Sequence, residues 1–139
     1  MKYQKFDNFY ALRLDRGEEI VAALKDFCRT ENIALGIISG IGATSLAVLG
    51  LFNVETKQYV SRELSGNFEI ASLAGNLTTM AGDAYLHLHA VLGDENQNTY
   101  AGHLTSALVS ATCEIFITIV DGSVDRFFDE GVGLNLLKI

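Results

Sequence analysis

The pattern of apolar and polar positions in this 139-residue chain predicts one helix near its start and strands over most of the rest. Residues 8–15, NFYALRLD, alternate in the manner of a strand, so that Tyr10, Leu12 and Leu14 share one face. Residues 15–32, DRGEEIVAALKDFCRTEN, have helical spacing instead. A strand followed by a helix is therefore expected to open the fold.

The predicted helix has a beginning and an apolar face that can be read from its residues. Asp15 is expected to cap the N-terminus, and Glu18 and Glu19 fall in the first turn, where the helix dipole favours acidic side chains. Residues at helical spacing form the face that is expected to meet the core: Ile20, Leu24 and Phe27.

Short apolar runs separated by turn-forming residues fill the remainder of the chain. They are IALGIISGIG, SLAVLGLFNV, QYVSREL, FEIASLAGNLTT and AYLHLHAVLG. HLTSALVSATCEIFITIV then indicates a turn or short helix leading into a strand, and FFDEGVGLNLLKI closes the chain. This order predicts an α+β fold, with a mostly antiparallel sheet and one main N-terminal helix. Residues 1–139 are expected to form a single domain.

Residues 33–52 form a run of 20 residues without a charge, which is the length of a membrane span. Four glycines and the sequence GATS interrupt this run, and they would punctuate a helix badly. The segment is therefore predicted to be a buried strand, a turn and a second strand, with no membrane partner.

The charge balance disfavours direct binding to DNA. The chain has 17 acidic and 10 basic residues, a net charge of −7, and no cluster of lysine or arginine.

Its two cysteines, Cys28 and Cys113, lie far apart in sequence and are expected to be buried, reduced thiols. The N-terminus carries charges where a signal peptide would be apolar, so a cytoplasmic location is expected.

All three histidines of the chain lie in one window, YLHLHAVLGDENQNTYAGHL. His87 and His89 are two residues apart in a predicted strand and therefore project from one face. If residues 94–98 form the loop of a hairpin, His103 lies directly across from His89. A slip of one residue would turn His103 to the other face. Gly102 is expected to leave space beside the imidazoles.

Three imidazoles on one face suit a divalent transition metal, most simply zinc. Three protein ligands leave one position open for water or a substrate group, as in catalytic rather than structural zinc sites. Isolated histidines in strands are more often ordinary core or surface residues. The spacing alone leaves both interpretations open.

Two acidic residues are candidates for a role at such a site. Glu69 and Glu114 each lie in an apolar strand, where an unpaired carboxylate is costly. Either one pairs with an arginine such as Arg13 or Arg62, or it supports a ligand histidine or acts as a general base. The first interpretation is favoured for Glu69, and both stay open for Glu114.

Other catalytic motifs are missing from the sequence. Neither GxGxxG nor GxxxxGK[ST] is present, so SGIG is expected to form a tight corner between strands rather than a phosphate loop. Ser110 and Cys113 lie near the histidines in sequence, but no nucleophile elbow surrounds them.

An ordered set of segments resembles the PPC domain, the plant and prokaryote conserved domain, also called the PD1-like DNA-binding motif. LHLHAVLGDENQNTYAGHL followed by TCEIFI carries the resemblance. RLDRGEEIVAAL, GIISGIGA and GNFEIASLAGNLT match earlier parts of that domain in the same order. The likeness spans roughly Phe9 to Phe128.

The resemblance implies a small stand-alone prokaryotic member that assembles as a homotrimer, with an α/β sandwich-like fold. It implies a metal site at His87, His89 and His103, and an acidic site-lining position at Glu114. Zinc or another divalent transition metal is the expected cofactor, and a small-molecule ligand at the metal is a further expected partner.

The resemblance leaves the biochemical role open among three classes. One is a metal-binding protein with no assigned reaction. Another is a metal-dependent hydrolase or lyase acting on a small polar metabolite, with no catalytic residue identified beyond Glu114 as a candidate. The last is a DNA-associated accessory protein acting through protein contacts. Plant relatives bind DNA through an AT-hook, which this chain lacks.

Overall fold

The computed structural model describes residues 1–139, which form eight strands and one helix. Six strands make one antiparallel sheet in the order β1-β2-β6-β3-β4-β5. Because β5 also pairs with β6, the four strands from β3 to β6 close on themselves. The elements in chain order are β1 Lys2–Lys5, β2 Phe9–Asp15, α1 Ile20–Thr30, β3 Gly36–Asn53, β4 Gln58–Met80, β5 Asp83–Gly93, β6 Thr99–Ile119, β7 Arg126–Asp129 and β8 Leu134–Leu137.

This architecture confirms the predicted fold class, a mostly antiparallel sheet with a single N-terminal helix. The strand predicted over residues 8–15 is β2, and its alternating residues Tyr10, Leu12 and Leu14 are buried. The 11-residue helix α1 is the only helix in the structure. No helix is both long enough and apolar enough to cross a bilayer.

The helix begins later than the sequence predicts. Asp15 is the last residue of β2, and the N-cap is Glu19. The Glu19 carboxylate accepts hydrogen bonds from the backbone N–H groups of Val21 and Ala22, at 3.1 and 2.6 Å. It also accepts from the N–H of Ala107, at 2.9 Å, which ties the start of the helix to β6. This additional partner favours Glu19 over the more usual Asp15.

The sheet contains fewer and longer strands than the turn signals predict. Residues 33–52 do not fold as strand, turn and strand, because β3 runs unbroken through the GATS sequence. In place of a turn, β3 has a bulge at this point, where its pairing with β4 and β6 is irregular between Thr44 and Leu46. The turn or short helix predicted at the start of residues 103–120 is likewise wrong, since those residues continue β6.

SGIG does not form a corner, and its glycines allow β3 to lie close to β6. A Cβ atom on Gly42 would lie 2.7 Å from the Cα of Cys113, so no side chain fits there. Both cysteines are buried free thiols, as predicted. Burial raises the pKa of Cys28 to about 12 and that of Cys113 to about 11, so neither forms a reactive thiolate at neutral pH.

The hydrophobic core lies between α1 and one face of the sheet. Ile20, Leu24 and Phe27 of the helix are buried in it, as their spacing predicts, and Cys28 joins them. On β5 the core residues are Leu88, Ala90 and Leu92. The alternate positions of β5 therefore face away from the core, and two of them are histidines.

Candidate metal centre

The β5–β6 hairpin has the register that the sequence predicts. Gly93 pairs with Thr99, so residues 94–98 form the loop, and His89 is the Cα partner of His103. The Asp94 side chain holds the loop by accepting hydrogen bonds from the backbone N–H groups of Asn96 and Asn98, both at 2.9 Å. A structured loop of fixed length thereby brings the two histidines opposite each other.

The three imidazoles form one cluster on the face of the hairpin that points away from the core. The ring centroids of His87 and His89 lie 5.2 Å apart, those of His87 and His103 5.4 Å apart, and those of His89 and His103 5.7 Å apart. One nitrogen from each ring lies within 4.8 Å of the other two. No carboxylate or thiol belongs to the cluster.

The donor set fits a divalent transition metal. A tetrahedral zinc ion with Zn–N bonds of about 2.0–2.1 Å needs nitrogens roughly 3.4 Å apart, so from separations within 4.8 Å any pair of nitrogens has to approach by at most about 1.4 Å. Small side-chain rotations supply such a movement. The Nδ1 atom of His103 is buried and has no hydrogen-bond partner, which is costly for a polar atom unless a ligand satisfies it.

Burial and neighbouring positive charge lower the pKa of two of the three histidines, His87 and His103, which favours the neutral form that binds metals. Burial, followed by the proximity of the other two imidazoles and of the Arg126 guanidinium, lowers the pKa of His87 below its ordinary value. Burial, and then His89, likewise lowers the pKa of His103. His87 and His103, both half-buried, therefore resist protonation near neutral pH.

Close contacts of the backbone surround the cluster. A Cβ atom on Gly102 would lie 2.7 Å from the carbonyl oxygen of Gly50, so this glycine lets β3 approach β6 beside His103. The predicted role of Gly102, leaving space beside the imidazoles, is wrong, because its side-chain position points to the opposite strand face. Gly75 on β4 has the same role next to the backbone of His87.

Aromatic side chains lie beside the histidines. The Tyr59 ring lies 5.7 Å from the His103 ring, between centroids. Tyr85 precedes His87 by two residues on β5 and so shares its face. The spacing of two residues between Tyr85 and His87 could have predicted from the sequence that both side chains share one face. No such spacing predicts the position of Tyr59, which lies near His103 only because of the strand pairing in the folded sheet.

Arg126, the first residue of β7, is a site residue that sequence reasoning missed. Its guanidinium stacks on the Tyr85 ring, 4.7 Å from the centroid. It donates hydrogen bonds to Thr78 Oγ1 at 2.8 Å, to Asn76 Oδ1 at 2.9 Å and to the carbonyl oxygen of Asn135 at 2.8 Å. Thr78 and Asn76 lie 48 and 50 residues away in sequence, so no local pattern points to these contacts.

The acidic candidates lie apart from the three histidines within one chain. Glu114 is eleven residues beyond His103 on β6, which is on the order of 30 Å along a strand, and it pairs with Arg13 and Ile41 in the sheet register. Glu69 pairs with Ala43 and Gly93. Neither forms an ion pair, and Arg13 instead pairs with Asp15 at 3.2 Å.

A comparison with known protein families identifies the domain. Residues 1–121 match the model of the Plants and Prokaryotes Conserved (PCC) domain. The chain belongs to the PCC family. The match includes every strand of the large sheet, the helix and all three histidines, and it ends before Arg126 and the β7–β8 hairpin.

Solved structures of PCC-like proteins have the same fold along their whole length. A protein from Bacteroides thetaiotaomicron described as a candidate DNA-binding protein shares 34% identity, with a TM-score of 0.96, over 99% of this chain and 96% of that one. A metal-containing protein from Archaeoglobus fulgidus shares 38% identity, with a TM-score of 0.88, over 99% of both chains. A plant- and prokaryote-conserved protein from Pyrococcus horikoshii shares 32% identity, with a TM-score of 0.88, over 99% of this chain and 94% of that one.

A curated relative contains a related segment inside a much longer protein. The bifunctional protein GlmU of Synechococcus sp. (strain JA-3-3Ab) is 33% identical over 110 residues. Those residues are 78% of this chain but only 16% of that protein. The PCC domain therefore corresponds to a small part of that relative, and the likeness assigns neither of its activities to this chain.

Proposed function

We propose that this chain is a metal-binding PCC protein in which His87, His89 and His103 hold a divalent transition metal, most simply zinc. The observation that carries the proposal is the convergence of three imidazole nitrogens to within 4.8 Å, one of them on a ring with a buried, unpartnered Nδ1. The similarity to the metal-containing protein from Archaeoglobus fulgidus supports it. A zinc ion with three protein ligands offers a further position for water or a substrate group.

Metal analysis of the purified protein tests this proposal. Wild-type protein and the double variant His87→Ala/His89→Ala are dialysed against zinc and then against metal-free buffer. The variant is expected to lose the metal, because a single imidazole is a weak ligand. Thr99→Ala on the same hairpin is the matched control, since Thr99 is exposed and forms no side-chain hydrogen bond, and it should retain one metal per chain. Near-zero metal in the wild type contradicts the proposal.

The protein is further proposed to assemble as a homotrimer. The sheet face opposite the helix carries Ile37, Ile41 and Phe116 on the adjacent strands β3 and β6, with exposed fractions of 58%, 58% and 51%. Phe9 extends this surface on β2, with its ring centroid 6.1 Å from that of Phe116. The polar residues Ser39, Glu114 and Thr118 lie on the same face, as the cross-strand partners of Phe116, Ile41 and Ile37. Large exposed apolar side chains on one sheet face are typical of an association site, and further copies of the same chain are the proposed occupants.

Association with DNA is a second candidate function. The similarity to candidate DNA-binding proteins from Bacteroides thetaiotaomicron and Ralstonia eutropha favours it. The net charge of −7 opposes direct contact with phosphates, so protein partners would carry this role. Retention of duplex DNA at low salt that falls steeply with added salt would support direct binding. No retention at low salt would contradict direct binding.

A further inference from the structure

Arg126 is a buried cation without an acidic partner. Only 7% of the residue is exposed, and each ion pair within 4.0 Å in the structure involves other residues. Its three hydrogen-bond acceptors, on Thr78, Asn76 and Asn135, are all neutral. No carboxylate lies within 4.0 Å of the Arg126 guanidinium, and burying a charge without a nearby opposite charge is costly.

The guanidinium also keeps unused hydrogen-bonding capacity. Arginine has five N–H donors, and three are engaged, one on each nitrogen. One N–H on each terminal nitrogen therefore has no acceptor in the protein. Two free N–H donors on one guanidinium equal in number the two oxygens of a carboxylate, and the three neutral contacts hold the guanidinium plane in place.

Arg126 is bonded to residues that lie next to the histidine cluster on β4. Asn76 is the cross-strand partner of His87, and Thr78 is the partner of Tyr85. Residues paired in this way share a sheet face, with Cβ atoms about 4.5–5.5 Å apart. The guanidinium is bonded to Asn76 and Thr78 and thus lies on the same face as the imidazoles. It lies beside the His87–Asn76 pair and the next pair on that face, Tyr85–Thr78.

We propose that Arg126 is the binding residue for a small carboxylate ligand whose second oxygen donor is directed to the three histidines. This inference rests on the proposed metal site and names the chemical class of its ligand. A guanidinium carries a single positive charge, which matches a monocarboxylate. The Tyr85 ring packs against the guanidinium and limits its movement.

The test measures binding of glycolate, a two-carbon carboxylate with a hydroxyl group, to the Co²⁺-loaded protein through its visible spectrum. Glycolamide serves as the uncharged analogue. The variants are Arg126→Gln and, as a matched loss of charge, Arg16→Gln, because Arg16 is exposed and unpaired. We expect the wild type to bind glycolate at least tenfold more tightly than glycolamide. We expect Arg126→Gln to weaken glycolate binding at least tenfold with unchanged Co²⁺ content, and Arg16→Gln to bind glycolate as the wild type does.

The outcomes separate this inference from the metal site itself. Equal glycolate affinity in the wild type and in Arg126→Gln, with Co²⁺ bound in both, overturns the role of Arg126 and leaves the metal site in place. A wild type that holds no Co²⁺ overturns both. If Arg126→Gln does not fold, Arg126→Lys replaces it. A lysine keeps the charge without the two-pronged geometry, so a several-fold loss of glycolate affinity is expected, and an unchanged affinity overturns the inference.

Discussion

His89 lies directly across the β5–β6 hairpin from His103, with their ring centroids 5.7 Å apart. The pairing depends on a five-residue loop, because one residue more or fewer in register would direct His103 into the core. His87 joins them from two residues earlier on β5. Short-range strand geometry alone therefore assembles the whole cluster from one 17-residue segment, His87 to His103.

Adding a side chain at Gly102, where β3 and β6 are in close contact, should disturb the site. In Gly102→Ala the new methyl group meets the carbonyl oxygen of Gly50, so β3 and β6 must separate beside His103. We expect unfolding in urea to show a loss of about 1–3 kcal/mol, together with weaker zinc binding by competition with a chromophoric chelator. Gly93→Ala on the same hairpin is the control, because its methyl group meets open space. Equal effects of the two substitutions would contradict this account.

The ion pair between Asp83 and Arg29 should make stability depend on pH. Asp83 begins β5 and accepts hydrogen bonds from Arg29 Nε at 2.8 Å and Nη2 at 2.7 Å, which ties the helix to the strand that carries two histidines. These bonds hold the pKa of Asp83 well below its usual value of 3.8. Its stabilising effect is therefore present above pH 3.8 and is lost as the pH falls through the lower folded-state pKa.

Urea midpoints of wild type and Asp83→Asn, measured across pH, test this effect. The variant should have the lower midpoint at pH 7, and the difference should shrink as the pH falls below 3.8. Asp7→Asn, at an exposed position without an ion pair, should match the wild type throughout. A difference between Asp83→Asn and wild type that is constant with pH would rule out this titration as the cause.

A charge in the apolar sheet face should prevent the proposed self-association. Ile41→Glu places a second carboxylate directly across from Glu114 and replaces one of the exposed apolar side chains, so a partner chain would have to desolvate two like charges. Analytical ultracentrifugation should give about 45 kDa for the wild type, as three 15.1 kDa chains, and about 15 kDa for the variant. Val54→Glu, in the exposed turn between β3 and β4, should leave the mass unchanged. A monomeric wild type would refute the trimer.

Local patterns were sufficient to predict the parts of the molecule that short-range geometry determines. The alternation of Tyr10, Leu12 and Leu14, the apolar face of α1 and the register that opposes His89 to His103 are all confirmed. Each depends on spacing within a single strand, helix or hairpin. The resemblance to the plant and prokaryote conserved domain, abbreviated PPC or PCC, is confirmed by the family match over residues 1–121.

Features that depend on distant partners were not predictable in this way. Several glycines that the sequence places in turns lie within long strands instead. At Gly42 the missing side chain allows close contact between β3 and β6, next to an irregularity in their pairing. Glu19 replaces Asp15 as the helix cap because it also binds the backbone of Ala107, 88 residues away. Arg126 meets Asn76 across 50 residues, and no local pattern records that contact.

X-ray absorption spectroscopy of the zinc-loaded protein tests the central claim most directly. The account predicts a first shell containing three imidazole nitrogens at about 2.0–2.1 Å, with the multiple scattering typical of imidazole rings. The two cysteines are buried elsewhere, so no sulfur is expected in that shell. A shell with sulfur at about 2.3 Å, or one without imidazole scattering, would contradict the assignment of His87, His89 and His103 as the metal ligands.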